Sequence, residues 1–233
     1  MNDALKVLQA GGYSPQTATK SGANSKTGGA LCCGRTYLAA GMVAQARARL
    51  EELLDTLLPY AKRGIPIVGL EPSCLLTLRD EALVLGLGHK AEVVAAQAML
   101  LEEFLAREAS AGRLQGLVDK LQPAGKPILV HGHCHQKAFD AASPVLEVLR
   151  LIPGAAPSMI ESSCCGMAGA FGYEAEHVDV SMQMAELSLL PAVRRAPDAI
   201  IVADGTSCRH QIKDGASREA VHAVSLLARC LGD

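Results

Sequence analysis

Cysteine occurs twice as an adjacent pair followed by glycine, Cys32-Cys33-Gly34 and Cys164-Cys165-Gly166, and no other feature constrains this chain as tightly. Each pair is followed well downstream by a lone cysteine, Cys74 and then Cys208. A further one, Cys134, precedes the second pair inside His131-Gly132-His133-Cys134-His135-Gln136. Seven of the eight cysteines thus fall into two similar half-patterns. The eighth, Cys230, reads as a small buried hydrophobe on a C-terminal helix. Adjacent cysteines stand too close for ordinary disulfide geometry. Two thiolates on one tight turn suit a soft metal or an iron–sulfur cluster instead.

The rest of the chain says where such turns would lie. Short apolar runs alternate with longer helical patterns, which predicts an α/β fold with parallel sheets. Strands are expected over 65–70, 128–131, 158–161 and 199–203, and helices over 3–10, 37–62, 91–109, 136–149, 173–194 and 218–229. The segment 112–126, with Pro123 and Gly125, reads as a linker between two similar βαβ lobes, one over 1–115 and one over 125–233. The first lobe is incomplete. Its chain starts directly on a helix, so the strand matching Ile128 to His131 is expected to be lost or supplied by a partner, and an exposed strand edge would favour self-association.

Cys74, Cys134, Cys164 with Cys165, and Cys208 each come just after an expected strand. Parallel strands carry their C-terminal ends on one edge, where open α/β sheets bind ligands. The spacing therefore predicts short loops on one rim, each carrying thiol. The second half offers four thiols, enough for one four-iron cluster, and the first offers three. His131, His133, His135 and His210 stand beside these cysteines and leave a second option open, a closed Cys/His zinc site. Arg35, Lys137 and Arg209 lie near the same positions, where a cation would favour thiolate.

Composition removes several other classes. A net charge of −2 gives no basic stripe, and aromatics at 3% give no stacking platform, so nucleic acid is not expected as a partner. The apolar stretches are broken by charges, Gly or Pro, so no membrane span is expected. The N-terminus has no secretory pattern, and eight cysteines without one imply a reducing, cytoplasmic setting in which thiols bind metal or do redox work.

The longer motifs His131 to Lys137, Glu161 to Glu174, Ala203 to Gln211, Leu31 to Tyr37 and Gly69 to Cys74 resemble those of a known family. This is the cysteine-rich (CCG) domain of iron–sulfur oxidoreductases, found in heterodisulfide reductase and in the iron–sulfur subunit of glycolate oxidase. More closely, the chain is similar to the C-terminal portion of FAD-linked oxidase/ferredoxin fusion proteins that act as D-lactate or D-2-hydroxyglutarate dehydrogenases. The resemblance implies a 4Fe-4S electron-transfer module that takes electrons from a flavoprotein oxidising a 2-hydroxy acid. FAD-binding and ferredoxin-type domains or subunits would be its partners, and FAD would sit in them, so the chain alone is not expected to be catalytic.

Two departures from the family stand out. Its fullest motif ends in Cys-x-x-Cys, and the earlier cysteine is Glu71 in the first half and Gly205 in the second. The first half also lacks a counterpart of Cys134, leaving Cys32, Cys33 and Cys74. A non-catalytic structural or docking lobe, with zinc or no metal, is the alternative. A thiol–disulfide enzyme is disfavoured by the missing Cys-x-x-Cys.

Overall fold

The computed structural model describes residues 1–19 and 30–232. They form two compact units, one of Gln16–Leu100 and a larger one of Met1–Pro15 with Leu101–Asp233. Helix α1 (Asn2–Ala10), expected with the first lobe, belongs to the larger unit.

The smaller unit runs α2 (Arg35–Ala39), α3 (Val43–Ala61), β1 (Ile67–Gly69), α4 (Pro72–Thr77), α5 (Glu81–Val84), α6 (His89–Ala95) and β2 (Ala98–Leu100). Along α3 the buried residues Ala46, Leu50, Leu54, Leu57 and Ala61 recur at steps of three and four, the spacing of one helix face. That face packs towards β1 and α6. β1 and β2 pair in parallel, with Ile67 opposite Ala98 and Gly69 opposite Leu100. The helix expected over 91–109 is therefore two helices with a strand between them. Ala98 and Leu100 are buried, and tertiary pairing with β1 overrides the helical propensity of Ala-Met-Leu. Among the described residues this unit has these two strands, so one edge of β1 is open, with Val68 exposed.

The larger unit continues with α7 (Leu101–Ser110), α8 (Gln115–Val118), β3 (Ile128–Val130), α9 (Cys134–Ala138), α10 (Ser143–Leu149) and β4 (Ser158–Met159). A 3-10 turn at Phe171–Tyr173 leads into α11 (Val178–Glu186), α12 (Leu189–Arg195), β5 (Ile200–Val202), α13 (Thr206–Ala216), β6 (Ala220–Val221) and α14 (Ala223–Arg229). Its sheet is fully parallel in the order β4-β3-β5-β6, with Leu129 opposite Ser158 and Ile201, and Ile201 opposite Ala220. Ile160, Met167, Leu189, Val193, Ile201 and Ile212 form one core layer of this unit, and Cys165 and Cys208 are built into it. Helices α7, α10, α14 and α1 pack against one another as a further group.

The α/β class and its two parallel lobes are as expected, but several boundaries move. The segment 112–126 is not an open linker. Leu114, Leu117 and Leu121 are buried and Leu121 bridges to Leu231, because their three- and four-residue spacing gives one turn of helix an apolar side. The helix expected over 136–149 breaks at Asp140, whose φ of 54° is left-handed. The one over 173–194 divides before α12, and residues 218–229 hold β6 as well as α14. α13 has no counterpart among the expected helices. Its sequence, Thr-Ser-Cys-Arg-His-Gln, is polar and gives little apolar period to read.

Candidate metal centre

In the four-stranded sheet the chain leaves β3 towards β4 on one side, while β5 leads to β6 on the other. The C-terminal ends of β3 and β5 flank the topological switch point, at which such sheets bind ligands. The loops bordering it carry the second half's thiols. Cys134 opens α9 just after β3, Cys164 and Cys165 lie in the loop after β4, and Cys208 is in the first turn of α13 after β5. The expected single rim is corrected in one respect. Cys74 follows β1, a strand of the separate two-stranded sheet, so the seven motif thiols divide into four in the larger unit and three in the smaller.

The four thiols of the larger unit form a chain of sulfur contacts. Cys134 meets Cys164, Cys164 meets Cys165, and Cys165 meets Cys208. Their proton affinities alternate along it. Contacts with Cys134 and then Cys165 lower Cys164, and the contact with Cys165 lowers Cys208 against its burial, the one S–H of Cys165 serving one of the two at a time. Cys134 and Cys165 are pushed up by the same contacts and by burial. The four sulfurs therefore give up their protons unequally, and a bound cation would release those that remain. Lys137 lies close enough to feel all four, although burial lowers its own affinity for a proton.

The backbone is shaped around these sulfurs. Gly166, with φ of 94°, donates its N–H to Cys164 Sγ at 3.3 Å, and a Cβ on it would stand 2.1 Å from the Ser181 carbonyl oxygen. Only glycine fits there, for both reasons. Lys137 Nζ donates to the carbonyl oxygens of Ser162 and Ser163, strapping the Cys164 loop to α9. Arg209 Nη1 donates to the carbonyls of Ala203 and Asp204 and so fixes the loop before Cys208. At Gly205, where the family's fullest motif has cysteine, a Cβ would lie 2.4 Å from His133 Cδ2 and 3.2 Å from its Nε2. The His133 ring occupies the space a side chain at 205 would need.

The histidines separate by environment. His131 is 1% exposed, and its Nδ1 stands 2.8 Å from Ser162 Oγ. That hydroxyl donates to the Ile160 carbonyl, so Nδ1 carries the hydrogen and Nε2 the lone pair. Nε2 is buried and has no hydrogen-bond partner among the described residues. His131, Cys165 and Cys208 place one donor atom each within 4.8 Å of one another, and His133, Cys134 and His135 form a second such group. His133 is the N-cap of α9. Its Nδ1 accepts from His135 N at 3.1 Å, and its own N–H donates to Gln136 Oε1. The three histidines of the motif do not alternate along a strand, since β3 ends at Val130 and α9 begins four residues on. His210 lies apart from both groups, exposed on α13 with its Nδ1 2.7 Å from Tyr173 Oη.

In the smaller unit Cys33 is buried, Cys32 half-buried and Cys74 exposed. Cys33 accepts a hydrogen bond from Cys74, which with its contacts to Arg35 lowers it to about 7, while Cys74 is pushed up by the same bond. Gly34 N and Arg35 N donate to Cys32 Sγ and Cys33 Sγ, so the turn repeats that around Gly166. Glu71 accepts from Ser73 Oγ, and its charge disfavours thiolate at Cys74. Cys230 is buried with no group from either centre raising or lowering it, a packing residue as expected.

Four converging thiols, two of them lowered by their neighbours, with donated N–H groups and one buried imidazole lone pair, form a donor set that fits a cluster or a soft metal ion. Sequence reasoning misses the polar groups behind them. Gln136 and Asp204 are buried and hydrogen-bonded to each other, and neither carries a motif that would reveal it.

Comparison with known proteins agrees with the motifs. Residues 128–213 match the cysteine-rich domain family, CCG. One relative is a subunit of anaerobic glycerol-3-phosphate dehydrogenase, the one designated C, from Escherichia coli (strain K12). The chain is 28% identical to it over 231 residues, covering 98% of this chain and 54% of that one. It is 33% identical over 174 residues to D-2-hydroxyglutarate dehydrogenase of the same strain, covering 74% of this chain and 16% of that one. The enzyme of that name from Pseudomonas putida is 29% identical over 189 residues, covering 80% and 17%. The chain thus spans about half the length of the first relative and a small part of the others.

Proposed function

We propose that this chain of the cysteine-rich CCG family is the electron-transfer module of a flavin-linked dehydrogenase. Cys134, Cys164, Cys165 and Cys208 would hold a 4Fe-4S cluster, which supplies one-electron transfer when bound. The observation that carries this reading is the convergence of these four thiols, from three loops, at the switch point of one parallel sheet. The smaller unit's Cys32, Cys33 and Cys74 are three donors, an incomplete set for a second centre. The relatives' names support a substrate that is a small anionic secondary alcohol, a 2-hydroxy acid or glycerol 3-phosphate, oxidised in a partner subunit or domain. FAD would belong to that partner.

The chain's own groups do the rest. Gly166 N–H and neighbouring amides donate to the sulfurs, which stabilises added negative charge and raises the potential. Lys137 sets a cation beside the four thiols while its two carbonyl bonds hold the loop. Burial of Cys165 and Cys208 keeps water from half of the donor set. A reducing cytoplasm fits the eight free thiols. No helix of the described residues is long and apolar enough to cross a membrane. The open edge of β1 is where a partner's strand, or a second copy, would add.

A second reading has its own observation. The His131 Nε2 lone pair beside Cys165 and Cys208 is what a mixed Cys/His zinc site needs, and that would make this a structural lobe. Anaerobic redox titration separates the two. A brown chromophore, bleached and restored reversibly and lost in Cys208→Ser, is expected. A colourless protein with stoichiometric zinc would overturn the electron-transfer reading.

A further inference from the structure

Behind the thiol centre, three acceptor groups face one another. Glu102, on the first turn of α7, is 1% exposed, and neither carboxylate oxygen has a hydrogen-bond partner outside its own peptide unit among the described residues. The charges that act on it, Asp204 and Glu103, are both acidic. Asp204 follows β5 and is 2% exposed. His222 follows β6, and its Nδ1 lies 3.4 Å from Asp204 Oδ1 and 3.6 Å from Glu102 Oε1. That nitrogen accepts from Val224 N at 3.2 Å, so it carries its one lone pair rather than a hydrogen, and an ion would take that lone pair in place of the Val224 bond.

We propose that Glu102, Asp204 and His222 form a binding site for a divalent transition cation of the zinc type, distinct from the thiol centre. All three donor atoms lie within 4.8 Å of one another. The separations of 3.4 and 3.6 Å carry no hydrogen bond from Nδ1, which has no hydrogen to donate to either carboxylate. They match the edges of a tetrahedron, since donors about 2.0–2.2 Å from zinc stand about 3.3–3.6 Å apart. With both carboxylates ionised the site would carry two negative charges, which one divalent ion cancels and one proton does not. Two carboxylates with one imidazole also form a set of oxygen and nitrogen donors that zinc accepts with a fourth position left for water. Such an ion would pin α7 to the loops after β5 and β6. Through Asp204 and Gln136 it would brace the turns that carry Cys208 and Cys134. The site stands whichever group the thiols hold.

The test uses the full chain, stripped with chelator and reloaded with zinc alone, and reads the zinc-edge X-ray fine structure. In Cys164→Ser/Cys208→Ser, which weakens the thiol centre, zinc should remain with oxygen and nitrogen neighbours at about 2.0–2.1 Å. Adding Glu102→Gln should remove that zinc and abolish the zinc-dependent rise in melting temperature, which should survive in the cysteine variant. Zinc found only with sulfur neighbours at about 2.3 Å would overturn the proposal, and so would Glu102→Gln that folds and keeps the oxygen- and nitrogen-ligated ion. If Glu102→Gln does not fold, the neighbour distances in the cysteine variant and the same comparison with His222→Gln decide. No such zinc in the cysteine variant would overturn it too, and would mean that a proton, not a cation, sits between the carboxylates.

Discussion

Gln136 and Asp204, 68 residues apart in sequence, are joined by a 2.8 Å hydrogen bond from the Gln136 side-chain amide to Asp204 Oδ2. The other end of Gln136 accepts from His133 N, and the remaining Asp204 oxygen accepts from Ala223 N. Both residues are almost wholly buried. One side chain therefore sets the turn of Cys134 against the turn of Cys208.

Gln136→Leu keeps the volume and strands both partners. Leaving a buried acceptor and a buried N–H unsatisfied costs about 1–3 kcal/mol each, so urea unfolding should detect a loss of about 2–6 kcal/mol. Metal retention should fall as well, since two of the four thiols lose their relative position. A variant of wild-type stability would mean the bond holds nothing together.

Restoring the family's missing cysteine should fail by itself. A Cβ at 205 meets the His133 ring at 2.4 Å, so Gly205→Cys or Gly205→Ala is expected to destabilise by about 1–3 kcal/mol. Removing the ring relieves the clash. In a double-mutant cycle, His133→Ala with Gly205→Ala should cost less than the sum of the two, by at least about 0.5 kcal/mol. Strict additivity would contradict the close approach.

Acid should loosen the N-terminal segment first. Hydrogen bonds from Arg113, then Tyr13 and Arg107, lower Glu108 to about 2. A depressed carboxylate contributes stability that is present above its unfolded value, about 4.3, and is lost as pH falls towards the folded value. Arg113 is half exposed, so the contribution is about 1–2 kcal/mol after solvent screening. Glu108→Gln should be less stable than wild type at neutral pH and should lose less between roughly pH 5 and pH 2. Parallel pH profiles in the two proteins would contradict the assignment.

How much of this the sequence carries depends on range. β3 and β5 are readable because Ile128-Leu129-Val130 and Ile200-Ile201-Val202 are short, apolar and rich in β-branched residues, with turn residues beyond them. β2 is hidden because Ala98-Met99-Leu100 runs without Gly or Pro between two helices, and only its pairing with β1 makes it a strand. The thiols are legible because adjacent cysteines before glycine have few other uses. Their division between two sheets is not, since strand order is invisible in one sequence. Glu102, Asp204 and His222 come from α7 and from the ends of β5 and β6, and no spacing rule joins them. His222 reads from the sequence as a surface or capping residue, and it does cap α14, but its second role is visible only in three dimensions.

The central claim is that Cys134, Cys164, Cys165 and Cys208 hold an iron–sulfur cluster. It is tested most directly by iron and acid-labile sulfide content on protein purified without oxygen, beside Cys164→Ser. About four irons with matching sulfide in the wild type, lost in a variant that still folds, is the predicted result. Iron and sulfide absent from the wild type, or unchanged in Cys164→Ser, would contradict it.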